Sequence, residues 1–100
     1  MKIVQVTPSP AAAGSLKSML KTKERELRGK GTTLRRAKEG RWTHARYPGW
    51  INWEQTLGGV IVAEVKTKKP ESEWQLLQAF IGYLNRHFGD SIESIAISYR

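Results

Sequence analysis

Apolar and polar residues alternate over Lys2–Val6 (KIVQV), the period-two signature of a short strand. The TPSPAAAG that follows is a connector, since prolines two residues apart fit neither a helix interior nor a strand ladder. From Ser15 to Arg28, Leu16, Met19, Leu20 and Leu27 fall near helical spacing, with Ser15 as N-cap and Gly29 as stop. The stripe is thin and Lys23 interrupts it, so this helix is expected to pack weakly. Gly29–Arg41 (GKGTTLRRAKEGR) has Leu34 as its one strongly apolar residue. It reads either as a strand pair turning at Glu39-Gly40 or as a mobile basic loop over 29–41, with the balance toward the loop.

Turn signals at Pro48-Gly49 and Gly58-Gly59 divide the next stretch into a meander of Trp42–Tyr47, Trp50–Gln55 and Val60–Lys68. The VIVAEV run is β-branched and compact and makes the third strand the most secure. Along it Val60, Val62, Glu64 and Lys66 share one face, while Ile61, Ala63 and Val65 share the other and should meet the helices. A second helix follows, with Ser72 and Gln75 as a capping box and Glu71 and Glu73 near its positive end. Its stripe is Trp74, Leu77, Ile81, Leu84 and Phe88, widened by Phe80, and Gly89 is its C′ stop. Gly82 in its middle suggests close approach of a neighbouring helix. A last strand, SIESIAISYR, sets Ile95, Ile97 and Tyr99 on one face. The expected architecture is an α+β two-layer sandwich, an antiparallel-rich sheet with two helices on one face. If the Trp42–Gln55 hairpin is an extension, the remainder has the ferredoxin-like order βαββαβ.

One hundred residues, 39% of them hydrophobic, make a single domain over 1–100 with one core. The chain has no cysteine, which excludes disulfides and thiolate metal sites. No apolar run approaches the about 18 residues that span a bilayer, and MKIVQVTPSP is not a signal peptide, so a cytoplasmic protein without membrane contact is expected. The net charge of +8 is unevenly placed: residues 1–50 hold twelve cationic and three acidic side chains, residues 51–100 five and six. Such asymmetry points to a polyanionic partner, with solubility as the plainer explanation.

RWTHARYPGWINW interleaves Trp42, Tyr47, Trp50 and Trp53 with Arg41, His44 and Arg46, the mixture of stacking surfaces and cations used on single-stranded nucleic acid. The row Trp42, His44, Arg46 is expected to be the exposed one. A nucleic-acid surface, DNA or RNA, would then comprise Lys17, Lys21, Arg28, Lys30, Arg35, Arg36, Arg41 and Arg46, with Trp42 and Tyr47 for stacking. The alternative is an interaction module or homodimer, associating through the second helix or a sheet edge, whose charge only aids solubility. No motif implies a cofactor. His44 and His87 lack a third metal ligand at useful spacing, and GKGTT lacks the spacing of a phosphate loop.

Glu64 and Lys66, one residue apart at the end of a strand with a helix behind, raise a further alternative. With Glu54 across the preceding hairpin and Gln75 or Gln78 on the helix, residues 54–78 resemble the metal-dependent nucleases of the PD-(D/E)xK kind. The resemblance implies that Glu54 and Glu64 hold divalent ions while Lys66 steadies the attacking water. The chain departs from that pattern in its one aspartate, Asp90, which lies past the second helix, and in its short loops. The plain reading of Glu64 and Lys66 is an exposed ion pair, worth at most about 1 kcal/mol.

Overall fold

A computed structural model describes residues 1–12, 14–27 and 34–99. Its elements are β1 (Lys2–Pro8), α1 (Leu16–Glu26), β2 (Leu34–Lys38), β3 (Arg41–His44), β4 (Trp50–Gln55), β5 (Ile61–Lys66), α2 (Pro70–Phe88) and β6 (Ile92–Tyr99). Short 3-10 turns lie at Pro10–Ala12, Leu57–Gly59 and Gly89–Ser91. The strands form one six-stranded sheet in the order β2-β3-β4-β5-β1-β6, antiparallel at every pairing.

The strand pleat decides which residues go inside. Val4 and Val6 of β1, Ile51 and Trp53 of β4, and Ile61, Ala63 and Val65 of β5 pack into one core with Leu16 and Leu20 of α1 and Leu76, Leu77, Phe80 and Leu84 of α2. Both helices therefore cover one face and leave the other uncovered, the α+β two-layer arrangement expected. The split of β5 into a helix-facing row and an outer row of Val62, Glu64 and Lys66 follows the alternation in its sequence. Setting β2 and β3 aside leaves β-α-β-β-α-β with strand order β4-β5-β1-β6. The added hairpin is thus Leu34–His44 at the β4 edge; β4 itself belongs to the remainder.

Several local expectations change. Leu34–Lys38 is a strand turning at Glu39-Gly40 into β3, so this part of the expected loop takes the strand-pair form, with Gly40 at φ 76°. Residues 28–33, Gly29 included, lie outside the described residues. Helix α2 begins two residues before the expected Ser72 cap, because Pro70 occupies the first turn, where a missing N–H costs nothing. Ser72 is instead buried inside the helix. Gly89 has right-handed φ −52° and leads into the 3-10 turn, so it is not a left-handed stop. The buried stripe of α2 includes Leu76, Leu77, Phe80, Leu84 and Phe88, whereas Trp74 is 42% exposed. Gly82 faces open space, and a Cβ added there would meet nothing within 4 Å.

The weak α1 stripe is completed by a carboxylate. Glu24 continues the spacing of Leu16 and Leu20, is 4% exposed, and accepts hydrogen bonds from Trp42 Nε1 (2.7 Å), the Gly40 backbone N–H (3.1 Å) and Arg36 Nε (3.3 Å). A buried charge is tolerated when its lone pairs are satisfied in this way. The other buried carboxylate, Glu73 in the first turn of α2, lies 2.9 Å from Lys2 Nζ and 3.2 Å from the Met1 amine. Burial alone would raise its pKa; the hydrogen bonds from Lys2 and the amine outweigh that and hold it below the usual value.

Trp42 and Trp53 test the value of a satisfied indole. Both are buried and stand edge-to-face at 6.1 Å, but Trp53 Nε1 has no hydrogen-bond partner among the described residues. The Trp→Phe change removes similar ring volume at each site, and only Trp42→Phe leaves a buried carboxylate short of a donor. Trp42→Phe is expected to destabilise by about 2 kcal/mol more than Trp53→Phe, measured by urea unfolding. Equal costs would contradict this account.

Candidate nucleic-acid interface

The uncovered sheet face is built by residues whose neighbours in sequence point into the core. Arg35 stands opposite Thr43, Lys38 opposite Arg41, Arg41 opposite Asn52, and Trp50 opposite Lys66. Arg41 is fixed: its Nε donates to Asn52 Oδ1 at 2.7 Å and its guanidinium lies 5.4 Å from the Trp50 ring centroid. Cations and aromatic faces attract in this geometry, and Arg41 shields part of a half-buried ring. The face thus presents one tryptophan among Arg35, Lys38, Arg41 and Lys66.

The loop from Ala45 to Gly49 forms the rim of this face. Gly49 has φ 119°, and a Cβ there would sit 2.4 Å from the Lys66 carbonyl oxygen and 2.7 Å from Thr67 Cβ. Only glycine lets the rim close against the end of β5 and set Trp50 beside Lys66. Over the rim, on the helix side, a cleft of about 450 Å³ is lined by Leu34, His44, Arg46, Tyr47, Gln75, Gln78, Ala79, Tyr83 and Arg86. Among the described residues no carboxylate lines it. His44 and Tyr47 stack at 4.6 Å, and the Arg46 backbone N–H donates to His44 Nδ1 at 3.0 Å, so the imidazole proton belongs on Nε2. Burial, then the Arg46 charge, lowers the His44 pKa from its ordinary value. Burial and the Glu26 charge raise that of Tyr83, whose hydroxyl stays protonated.

The ten residues expected from sequence to form one surface are divided among several places. Arg35 and Arg41 lie on the uncovered face, and Arg46 and Tyr47 line the cleft. Lys17 and Lys21 are on α1, where Lys21 pairs with Glu39 at 2.7 Å, a contact that lowers the Glu39 pKa. Arg36 points to the helix layer and pairs with Glu24. Arg28 and Lys30 lie outside the described residues. The expected exposure of Trp42 is reversed: it is 0% exposed, bonded to Glu24 and edge-to-face with Phe80 and Tyr83. A ring so enclosed cannot stack on a base. Trp50, one residue out of phase with buried Ile51 and Trp53, is the accessible indole of this region; Lys38 and Lys66 join it through strand register, which the linear order does not display.

Glu54 and Glu64 share the uncovered face on adjacent strands, where Asn52 faces Glu64 and Glu54 faces Val62. This diagonal relation corresponds to about 7–8 Å between backbones. With Asn52, Trp53 and Val62 they line a hollow of about 230 Å³. Glu64 and Lys66 are both exposed, and the ion pairs among the described residues do not join them. Gln75 and Gln78 line the cleft on the opposite layer and do not converge with the two glutamates. Among the described residues no three His, Cys, Asp or Glu side chains gather as a metal-binding group, and no helix is long and apolar enough to cross a membrane. Comparison with known proteins finds no matching family model, curated protein or solved structure.

The His44 environment has a measurable consequence. Unfolded His44 takes up its proton near 6.5, whereas the folded residue waits for a lower pH. Stability should therefore fall as pH drops through 6.5 and level off below the folded pKa. NMR titration of the imidazole should give a midpoint below 6.5, and His44→Gln should remove this part of the pH dependence of unfolding.

Proposed function

We propose that this chain is a small non-enzymatic domain that binds nucleic acid in single-stranded form through its uncovered sheet face. The observation that carries the reading is the Arg41 guanidinium 5.4 Å from the Trp50 ring centroid, flanked in register by Lys38 and Lys66. A half-buried aromatic on a sheet face offers its open part to a base of any sequence, and the surrounding cations meet the phosphates. Arg46 and Tyr47 continue the cationic and aromatic chemistry over the rim. A cytoplasmic setting suits such a role.

If four cations (Arg35, Lys38, Arg41 and Lys66) meet phosphates, the logarithm of affinity should fall against the logarithm of salt with a slope of about −3. Trp50→Ala is expected to weaken binding of a short single-stranded oligonucleotide by about 1–3 kcal/mol, and Arg41→Ala to lower the slope by about 0.7. Trp74→Ala, on the helix layer, should leave binding intact. Fluorescence anisotropy across a salt series measures all three, and a flat salt response defeats the proposal.

The paired carboxylates favour a second reading, a divalent-metal-dependent nuclease using Glu54, Glu64 and Lys66 on the same face. Magnesium- or manganese-dependent cleavage that is abolished in both Glu64→Gln and Lys66→Ala would replace the first reading with this one. Binding without cleavage leaves the first in place.

A further inference from the structure

The two edges of the sheet differ in a way that bears on association. At one edge, β2 is five residues long and carries Arg35, Arg36 and Lys38, charges that discourage another strand from pairing. At the other, β6 is eight residues long (IESIAISY), and Glu93 is its only charged residue. Its partner β1 occupies one side, and the other side is a free edge. The helix-facing residues Ile92, Ile95 and Ile97 touch the core but remain only partly buried, and Tyr99 is 68% exposed. The outer-face residues Ser94, Ala96 and Ser98 are small and exposed. Strand, apolar row and core all stop at this line, with no further strand beyond it among the described residues.

We infer that β6 pairs antiparallel with β6 of a second copy of this chain about a two-fold axis at Ala96, joining the two sheets into one of twelve strands. A chain of net charge +8 repels its own copies least where its surface carries few cations, and β6, with Glu93 as its one charge, is the edge without cations. The register is self-complementary. A two-fold axis perpendicular to the sheet keeps faces matched, so Ala96 meets Ala96, Ser94 meets Ser98, and Ile95 meets Ile97 of the other copy. The isoleucine row then continues the core across the junction. The bulge where Thr7 faces Ser94 and Pro8 faces Ile92 leaves Ser94–Ser98 as the regular segment, centred on the same axis. The exposed glycine on α2, by contrast, offers no apolar row to pair with.

Sedimentation velocity of the whole chain over a concentration series tests this. The wild type should sediment at twice the chain mass. Ala96→Lys and Ala96→Glu, at an exposed position where the fold is undisturbed, place like charges opposite each other at the axis and should each weaken the dimer about fivefold or more. Mixing the two variants in equal amounts should restore it as a heterodimer. Gly82→Ala should leave association unchanged. A monomeric wild type at all concentrations, dimers of Ala96→Lys as tight as wild type, or loss of the dimer in Gly82→Ala would each overturn the inference. Circular dichroism confirms that the variants are folded.

Discussion

Glu24 is the point at which the helix layer and the outer part of the sheet are joined. Its carboxylate receives an indole N–H from β3, a backbone N–H from the β2–β3 turn and a guanidine N–H from β2, all from one position on α1. Satisfying a buried charge requires each donor to be in place at once, so this contact specifies geometry more than it supplies net stability. The hairpin that distinguishes this sheet from a plain four-stranded one depends on it. So does the exposure of the opposite side: with Trp42 and Arg36 drawn inward to Glu24, the alternate residues Arg35 and Arg41 must point outward.

That alternation explains what could be read from the chain in advance. The β5 faces were legible because Ile61, Ala63 and Val65 are uniformly apolar and their alternates are not. Helix α2 was legible in its length and in most of its stripe. Its start was not, since Ser72 with Gln75 mimics a cap while Pro70 fixes the first turn earlier. In β3 the two rows, Trp42 with His44 and Arg41 with Thr43, each mix polar and bulky residues, and composition alone favoured the wrong one as outer. The deciding partner was an acid in α1. A glutamate at a position where the apolar stripe calls for a leucine was the available signal, and it lay eighteen residues from the tryptophan it binds.

Strand register accounts for the remainder of the candidate site. Lys38, Arg41, Trp50 and Lys66 come from four elements, and only the pairing sequence of β2, β3, β4 and β5 makes them neighbours. The same pairing places Glu54 and Glu64 together while leaving Gln75 and Gln78 across the sheet. Basic and acidic groups thus share one face in adjacent zones. Linear charge asymmetry indicated that cations were in excess; it did not separate those committed to Glu24 and Glu39 from those left to solvent.

The central position of β1 has a consequence for how the chain reaches this state. Val4 lies between Ala63 and Ile97, partners from the middle and the far end of the sequence. The meander from β2 to β5 closes through local turns, whereas β1 must wait for segments synthesised much later. Closing such long loops is entropically slow, and in the interval a β-branched segment has both its sides unpaired. Of the six strands, therefore, β1 is among the last to be sheathed on both sides, and until then its apolar segment stays open to non-native pairing.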